Sequence, residues 1–103
     1  MIDFLTRKGD GIDIDANGTS LKGTIHATRA VLTEKFDEPE FYGEGDKVTV
    51  EWTIRFDDGT IATIYDWKRY ELGTPELNEL EEYHIGGNSM KAVDLVHAAM
   101  RSN

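Results

Sequence analysis

The sequence predicts an α+β fold, in which an antiparallel sheet of roughly five strands (two hairpins plus a short strand) is accompanied by two helices. Residues 48–56 alternate between apolar and polar side chains, which is typical of a half-buried strand. The dipeptide Asn17-Gly18 separates two other alternating segments, and residues 90–101 carry apolar side chains at helical spacing. With 103 residues the chain fits a single domain, 1–103, whose C-terminal helix packs on the sheet.

The first hairpin is predicted around Asn17-Gly18, because both residues accept the positive φ angles of a type I′ turn. The register that such a turn imposes pairs Ile14 with Leu21 and Asp13 with Lys22. One pair is apolar and the other joins opposite charges, so the predicted register is self-consistent.

A helix is predicted over residues 27–36, with Thr28 as its N-cap. Its apolar face consists of Val31, Leu32 and Phe36. Pro39 ends the helix, because the residue before a proline is disfavoured in the helical conformation. The acidic stretch that continues to Asp46 is predicted to be a loop.

The central hairpin turns at Asp57-Asp58-Gly59 and returns through residues 60–67. Two registers are open at this point. A two-residue loop pairs Phe56 with Ile61 and Trp52 with Tyr65. A three-residue loop with a glycine bulge instead turns Ala62 and Ile64 inward.

A fifth strand is predicted over residues 80–85, followed by Gly86-Gly87-Asn88-Ser89 and a helix from Met90 to Arg101. Either Asn88 or Ser89 provides the N-cap of that helix. Its apolar face consists of Ala92, Val93, Val96, Ala99 and Met100.

The net charge of −9 argues against direct nucleic-acid binding, which needs Lys and Arg side chains to replace the counterions of the phosphates. The acidic residues are concentrated in residues 34–46 and 71–82. Each stretch is either a solvated loop or a surface that attracts a basic partner, and charge alone does not separate the two. The candidate partner-binding residues are Glu38, Glu40, Glu44 and Asp46.

The composition also excludes several classes of protein. The chain has no cysteine, so neither a disulfide framework nor a cysteine-ligated zinc site can form. No apolar run approaches the ~20 residues that span a bilayer, so no membrane association is expected. The acidic N-terminal segment does not resemble a secretory signal, and the expected location is the cytoplasm.

The sequence carries no motif for catalysis. It has no nucleophile elbow, Walker loop or dinucleotide fingerprint, so no catalytic residue and no cofactor is predicted. Residues 13–18 match the first half of a calcium-binding EF-hand loop, but its twelfth position is Thr24 instead of a glutamate. His26, His84 and His97 lack a recognised ligand spacing, so no metal site is predicted.

A candidate ligand site joins the end of the central hairpin to the segment before the last helix. Two glycines before a helix let backbone N–H groups approach a ligand, and a helix N-terminus favours an anion. Basic side chains and aromatic rings nearby would suit a small nucleotide, whereas the structural interpretation is a turn, a cap and a core tryptophan. The candidate residues are Tyr65, Asp66, Trp67, Lys68, His84, Gly86, Gly87, Asn88, Ser89 and Lys91.

The run from Trp52 to Lys68, which contains ATIYDWK, and the HIGG of His84 to Gly87 resemble a group of small accessory proteins encoded by bacteriophages. Residues 35–39 are similar to a Phe-Gly-x-Pro element of that group, with Asp37 in place of the usual glycine. The resemblance leaves the N-terminal segment outside it. It implies a phage origin, a location in the host cytoplasm and a protein that acts on a host factor by binding.

We therefore expect a small non-enzymatic binding protein, with two mechanisms open. In the first, the acidic surface engages a basic surface of a host defence or regulatory protein and inhibits it. In the second, residues 65–68 and 84–91 form a pocket that sequesters a small nucleotide-like signal. In a chain this small, we expect such a pocket at the interface of a homo-oligomer.

Overall fold

The computed structural model describes residues 2–42, 48, 50–66 and 82–101. Within these ranges the elements are β1 (Phe4–Thr6), β2 (Ser20–His26), α1 (Arg29–Phe36), β3 (Glu40–Phe41), β4 (Val50–Phe56), β5 (Ile61–Tyr65), β6 (Glu82–Gly87) and α2 (Lys91–Arg101). The strands form one antiparallel sheet on which α2 packs, and this confirms the α+β class. No helix in the described part of the chain is both long and apolar enough to cross a membrane.

The sheet is ordered β1-β4-β5-β6-β2, and β3 pairs with β4 on the same side as β1. β1 pairs with the end of β4, whereas β3 pairs with its beginning. The β4–β5 hairpin therefore lies inside the sheet, and β2 forms the far edge against β6. As a result, β1 and β2 lie on opposite sides of the central hairpin, although only residues 7–19 connect them.

The central hairpin has a three-residue loop. The Phe56 N–H donates to the Thr60 carbonyl oxygen at 2.9 Å, and Gly59 adopts a φ of 91°, a conformation that glycine reaches without a steric cost. The register pairs Trp52 with Ile64 and Ile54 with Ala62. This is the second of the two predicted registers, and the side chains of Ala62 and Ile64 are fully buried, as that register requires.

The predicted hairpin around Asn17-Gly18 is wrong. Residues 12–16 form no strand, and β2 pairs with β6 instead. The turn itself exists, because the Thr19 N–H donates to the Ala16 carbonyl oxygen at 3.2 Å. Of its two central residues only Gly18 has a positive φ, of 83°, which is typical of a type II turn rather than type I′. Pairing with β6 places Ile25 in the main core, and that burial outweighs the local hairpin signal.

Both helices cover one face of the sheet. The Thr28 Oγ1 accepts the Val31 N–H at 3.3 Å, which confirms the predicted N-cap of α1. Leu32 and Phe36 are buried as predicted, but Val31 is 44% exposed and does not belong to the apolar face. From α2, the core receives Ala92, Val96 and Ala99, with Val93 and Met100 packed against it. The main core therefore lies between the two helices and this face of the sheet.

Residues 7–19, which we call the strap, lie over the other face of the sheet. The strap leaves β1 at one edge, enters β2 at the other, and lines a cavity together with Glu51 and Thr63 in between. Its central residue Ile14 is 1% exposed but stands outside the main core cluster, because it is buried on this second face. The strap thus gives the sheet a partial second layer.

Candidate functional site

Two rows of residues cross the second face of the sheet, the face that lies away from the helices. The first row contains Thr53, Thr63 and Gly86. The second row contains Glu40, Glu51, Tyr65 and His84. Residues directly opposite each other in antiparallel strands have Cβ atoms about 4.5–5.5 Å apart, so the side chains within each row are within contact range.

An open cavity of about 620 Å³ lies between the strap and these rows. Its volume falls in the range of pockets that hold small ligands, about 300–1,000 Å³. The sheet contributes Glu51 and Thr63, one residue from each row. The strap contributes Arg7, Asp13, Ile14, Asp15, Ala16, Asn17 and Thr19. We take this cavity as the candidate functional site.

Arg7 holds the strap against the sheet. Its Nε donates to the Ile14 carbonyl oxygen at 3.1 Å, and its Nη2 donates to the same oxygen. Its Nη1 lies 3.2 Å from Oε1 of Glu40, with which it forms a partly exposed ion pair. The guanidinium is therefore committed to groups of the protein itself, and much of its charge is balanced by Glu40.

Glu51 is a partly buried carboxylate at the wall of the cavity. The Tyr42 hydroxyl donates to its Oε1 at 3.1 Å. Burial raises the pKa of Glu51, while the hydrogen bond from Tyr42 and the charge of Arg7 act in the opposite direction. Burial and the charge of Glu51 likewise raise the pKa of Tyr42 to about 12. The Tyr42 hydroxyl therefore keeps its proton at neutral pH and serves as a donor.

Negative charge dominates the cavity and its rim. Asp13, Asp15 and Glu51 line it, Glu40 adjoins it, and Arg7 is the one basic residue among the described lining residues. We call the cavity together with these four carboxylates the acidic cleft. One Oδ atom of Asp15 accepts the Asn17 N–H at 2.8 Å, whereas Asp13 makes no hydrogen bond or ion pair within the described ranges. Such a concave acidic surface raises the local concentration of cations.

Thr53 adds a buried hydroxyl beside the cavity. It is 2% exposed, and its Oγ1 has no hydrogen-bond partner among the residues that the structure describes. It projects on the cavity side, directly opposite Thr63 and two residues from Glu51 on the same strand. A buried hydroxyl without a partner costs about 1–3 kcal/mol. The second face therefore holds one polar group whose hydrogen bond is unmade.

The structure brings together part of the predicted ligand site. Tyr65 and His84 are neighbours in the second row, with ring centroids 5.6 Å apart in an edge-to-face arrangement. Burial, followed by the charge of Glu51, raises the pKa of Tyr65. Asp66 is buried, and its Oδ1 accepts the Val50 N–H at 3.0 Å, which fixes the start of β4. Trp67 and Lys68 lie outside the described residues.

Gly86 and Gly87 do not form a turn or a loop that leads into the helix. Both lie within β6 (Glu82–Gly87), which extends two residues past the predicted end at residue 85, whereas residues 80 and 81 of the prediction lie outside the described residues. A Cβ on Gly86 would collide with Oγ1 of Thr63, and a Cβ on Gly87 would collide with the Cβ of Ala92. The two glycines thus allow close packing on opposite faces of the sheet, and their backbone groups take part in strand pairing.

The remaining predicted ligand residues surround the N-terminus of α2, away from the Tyr65–His84 pair. Asn88 accepts the Ile61 N–H at 3.3 Å through Oδ1, and Ser89 is exposed. Lys91 forms an ion pair with Asp58. The hydrogen bond from Lys91, together with that from the Thr60 N–H, lowers the pKa of Asp58 to about 2. An anion at this helix end would therefore meet a carboxylate already in place.

The predicted partner-binding acids are similarly divided. Glu38 is exposed beside α1, where it lines a shallow hollow with Arg29 and Glu34. Glu40 is paired with Arg7. Glu44 and Asp46 lie outside the described residues. Sequence reasoning missed Asp13 and Asp15 because it assigned them to a strand, and it missed Glu51 although the alternating pattern had already placed that residue on the polar face.

The histidines do not converge. His26 lies 3.2 Å from a carboxylate oxygen of Glu82, and Nε2 of His97 lies 3.1 Å from the Thr24 carbonyl oxygen. Within the described ranges, no group of three or more His, Cys, Asp or Glu side chains is placed to hold a metal ion.

Comparisons of the chain with protein-family models, curated proteins and solved structures gave no match.

Proposed function

We propose that the chain is a non-enzymatic binding protein that recognises a basic surface of a partner protein through the acidic cleft. The observation that carries the proposal is the charge balance of the cleft. Several carboxylates converge on one cavity, and its one described basic residue, Arg7, is already engaged by Glu40 and by the strap. A basic partner therefore gains attraction without displacing a cation of the protein itself.

The carboxylates that would contact the partner differ from those that the sequence indicated. Glu40 is largely neutralised by Arg7, so the strap residues Asp13 and Asp15 and the wall residue Glu51 supply the attraction. Together with the resemblance to phage accessory proteins, this supports a protein that inhibits a host defence or regulatory factor by covering its basic surface. The binding step involves no chemical reaction, because occlusion of the surface is sufficient for inhibition.

A labelled peptide of alternating arginine and glycine tests the proposal, with its affinity measured by fluorescence anisotropy at several salt concentrations. Binding should weaken steeply with salt, because exposed charges are screened over ~10 Å at 0.1 M. The double variant Asp13→Asn/Asp15→Asn should lose about tenfold in affinity, or about 1.4 kcal/mol.

The matched control is Asp57→Asn/Asp94→Asn, which removes the same charge from exposed positions outside the cleft. Its affinity should stay within about twofold of the parent protein. Equal losses in the two double variants would show that only net charge matters, and the cleft would then not be the binding surface. A parent protein that fails to bind the peptide at low salt would overturn the proposal altogether.

Sequestration of a small nucleotide is a second proposal, favoured by the half-buried pair of Tyr65 and His84 on the same face as the cleft. Against it, the phosphates would approach Glu51 and the acids of the strap. Mono-, cyclic and dinucleotides at ~100 times a micromolar Kd should stabilise the fold by ~2.7 kcal/mol if the proposal is correct. Thermal denaturation measures this, and Tyr65→Ala should remove the shift.

A further inference from the structure

We propose that Asn17-Gly18 is a modification site, at which the asparagine side chain is converted spontaneously to a carboxylate and the acidic cleft gains a negative charge. Asn17 lines the cavity, and both residues are exposed at the turn of the strap. The reaction needs water as its co-reactant and no second protein. Its product adds a charged group to a wall that already carries Asp13, Asp15 and Glu51.

The reaction has two steps. The Gly18 amide nitrogen attacks Cγ of Asn17, and the side-chain nitrogen leaves as ammonia with the proton of the Gly18 N–H, so that a succinimide ring closes. Water then opens the ring at one of its two carbonyl groups. Opening at the side-chain carbonyl gives aspartate. Opening at the main-chain carbonyl gives isoaspartate, whose backbone runs through the side-chain carbon and is one carbon longer.

Both reacting groups are free at this turn. The Thr19 N–H and hydroxyl close the turn, because both donate to the Ala16 carbonyl oxygen, at 3.2 and 2.8 Å. The Asn17 N–H donates to Asp15 at 2.8 Å. Within the described ranges, neither the Gly18 N–H nor the Asn17 side-chain amide makes a hydrogen bond. The attack of one group on the other therefore breaks no hydrogen bond of either.

The turn also has room to change shape. Ring closure requires the Asn17 ψ angle to rotate away from the type II geometry. Gly18 has a φ of 83°, and a Cβ placed on it would meet no atom within 4 Å. Neither residue belongs to the core cluster, and glycine accepts a wider range of φ and ψ than any other residue. The rotation is therefore open to the folded protein.

Comparable dipeptides elsewhere in the described chain are held by hydrogen bonds. In Asp10-Gly11 the glycine N–H donates to the Lys8 carbonyl oxygen at 3.3 Å, and in Asp58-Gly59 it donates to the Phe56 carbonyl oxygen at 2.9 Å. The side chain of Asn88 is bound as well, because its Oδ1 accepts a backbone N–H at 3.3 Å. Free reacting groups thus distinguish Asn17-Gly18 from these three positions.

Incubation of the folded protein at mildly alkaline pH, followed by tryptic digestion and mass spectrometry, tests the inference. The tryptic peptide 9–22 contains Asn17 as its one asparagine, and its mass should change by the replacement of NH₂ with OH. Fragmentation should find both aspartate and isoaspartate at position 17, while Asn88 stays unmodified. Aspartate alone would indicate direct hydrolysis of the side chain by water, and equal reaction at Asn88 would show no selectivity; either result would overturn the inference.

The synthetic peptide 9–22 and two variants provide the controls. Asn17 in the folded protein should react within about tenfold of its rate in the free peptide, since an exposed turn opens at little cost. Gly18→Ala should slow the reaction about tenfold, because a side chain restricts the backbone of the attacking residue. Asn17→Gln requires a larger ring and should stay unmodified. A folded protein that keeps Asn17 intact while the free peptide reacts would contradict the proposal.

The effect on the cleft has a separate test, which rests on the proposed function. Asn17→Asp, which carries one of the two products, should bind the arginine–glycine peptide about twofold more tightly than the parent protein. Unchanged affinity would overturn the effect on the cleft. Mass spectrometry follows the reaction directly, so a cleft that fails to bind the peptide refutes the proposed function and not the modification.

Discussion

One carbonyl oxygen, that of Ile14, accepts two hydrogen bonds from a single side chain, through Nε and Nη2 of Arg7. Arg7 follows β1 directly, and its own N–H donates to the Thr53 carbonyl oxygen at 2.9 Å, so its backbone is part of the sheet. The middle of the strap is thereby tied to a fixed point. The third contact of the guanidinium, to Glu40, ties β3 to the same point.

Replacing Arg7 by methionine should destabilise the protein by about 2 kcal/mol. Hydrogen bonds to a charged group contribute about 1.5–3 kcal/mol each, partly offset here by solvent exposure, and methionine retains the packing of the side-chain stem. Urea denaturation measures the loss, and the amides of the strap should exchange hydrogen faster than those of β4. Arg55→Met, at an exposed arginine outside the cleft, should stay within about 0.5 kcal/mol of the parent. Similar losses in both variants would contradict the anchoring role.

Replacing Asp37 by glycine should stabilise the fold. It follows α1 with φ 66° and ψ −169°, a region that residues with a side chain adopt only under strain. Its carbonyl oxygen accepts the Trp52 Nε1–H at 2.7 Å, and glycine retains that bond. Asp37→Gly should therefore stabilise the fold by about 1 kcal/mol in thermal or urea denaturation.

The control for this substitution is Glu38→Gly, because Glu38 is exposed and has no positive φ. Glycine there should destabilise slightly, since it only adds freedom to the unfolded chain. A loss of stability in Asp37→Gly as large as that in Glu38→Gly would show that the backbone at Asp37 carries no strain.

Gly87→Ala should lower the free energy of unfolding by about 2–3 kcal/mol. The new methyl group would collide with the Cβ of Ala92 and lie 3.1 Å from the Ile61 carbonyl oxygen, so α2 would have to move away from the sheet. Ala92→Gly in the same chain removes the Cβ with which the new methyl group collides. It should therefore recover part of the lost stability, although glycine within a helix itself costs about 1 kcal/mol relative to alanine. A double-mutant cycle by urea denaturation measures the coupling. Simple additivity of the two substitutions would show that Gly87 is not needed for this approach.

Glu51→Gln should change how stability depends on pH. The pKa of Glu51 is raised by burial, so its favourable contribution is present below the ordinary value of 4.5 and is lost as pH rises through the raised pKa. Glutamine does not titrate and still accepts from Tyr42. The variant should thus be more stable than the parent at pH 7, and this difference should vanish as the pH falls to about 4. A difference in stability that is constant across this pH range would contradict a raised pKa of Glu51.

The sequence predicted those parts of the fold that depend on local pattern and packing volume. The alternation around Trp52 marked the buried face of β4, and Thr28 marked the start of α1. The first hairpin was predicted wrongly because its signal lies in one turn, whereas the pairing of β2 is decided by Ile25 and by strand β6, about sixty residues further along the chain. Local propensity contains no information about such distant competitors.

The candidate site was predictable only in part for the same reason. Tyr65 and His84 were chosen for their chemistry, and the sheet register does place them side by side. Asp13 and Asp15 line the same cavity as Glu51 only because the strap returns over the sheet, a path that no short segment of sequence encodes. Gly86 and Gly87 resemble a ligand loop in sequence because small residues serve both close backbone approach and close packing, and only the neighbours distinguish the two.

The crossing of the strap has a consequence for the order of events during synthesis. β1 and β2 leave the ribosome early, yet β1 finds its partner only when β4 has emerged, and β2 must wait for β6. Pairings so distant in sequence close slowly, because the chain between them loses entropy before the contacts form. Both ends of the segment that carries Asp13 and Asp15 depend on these distant pairings, so we expect the acidic cleft to form late in folding.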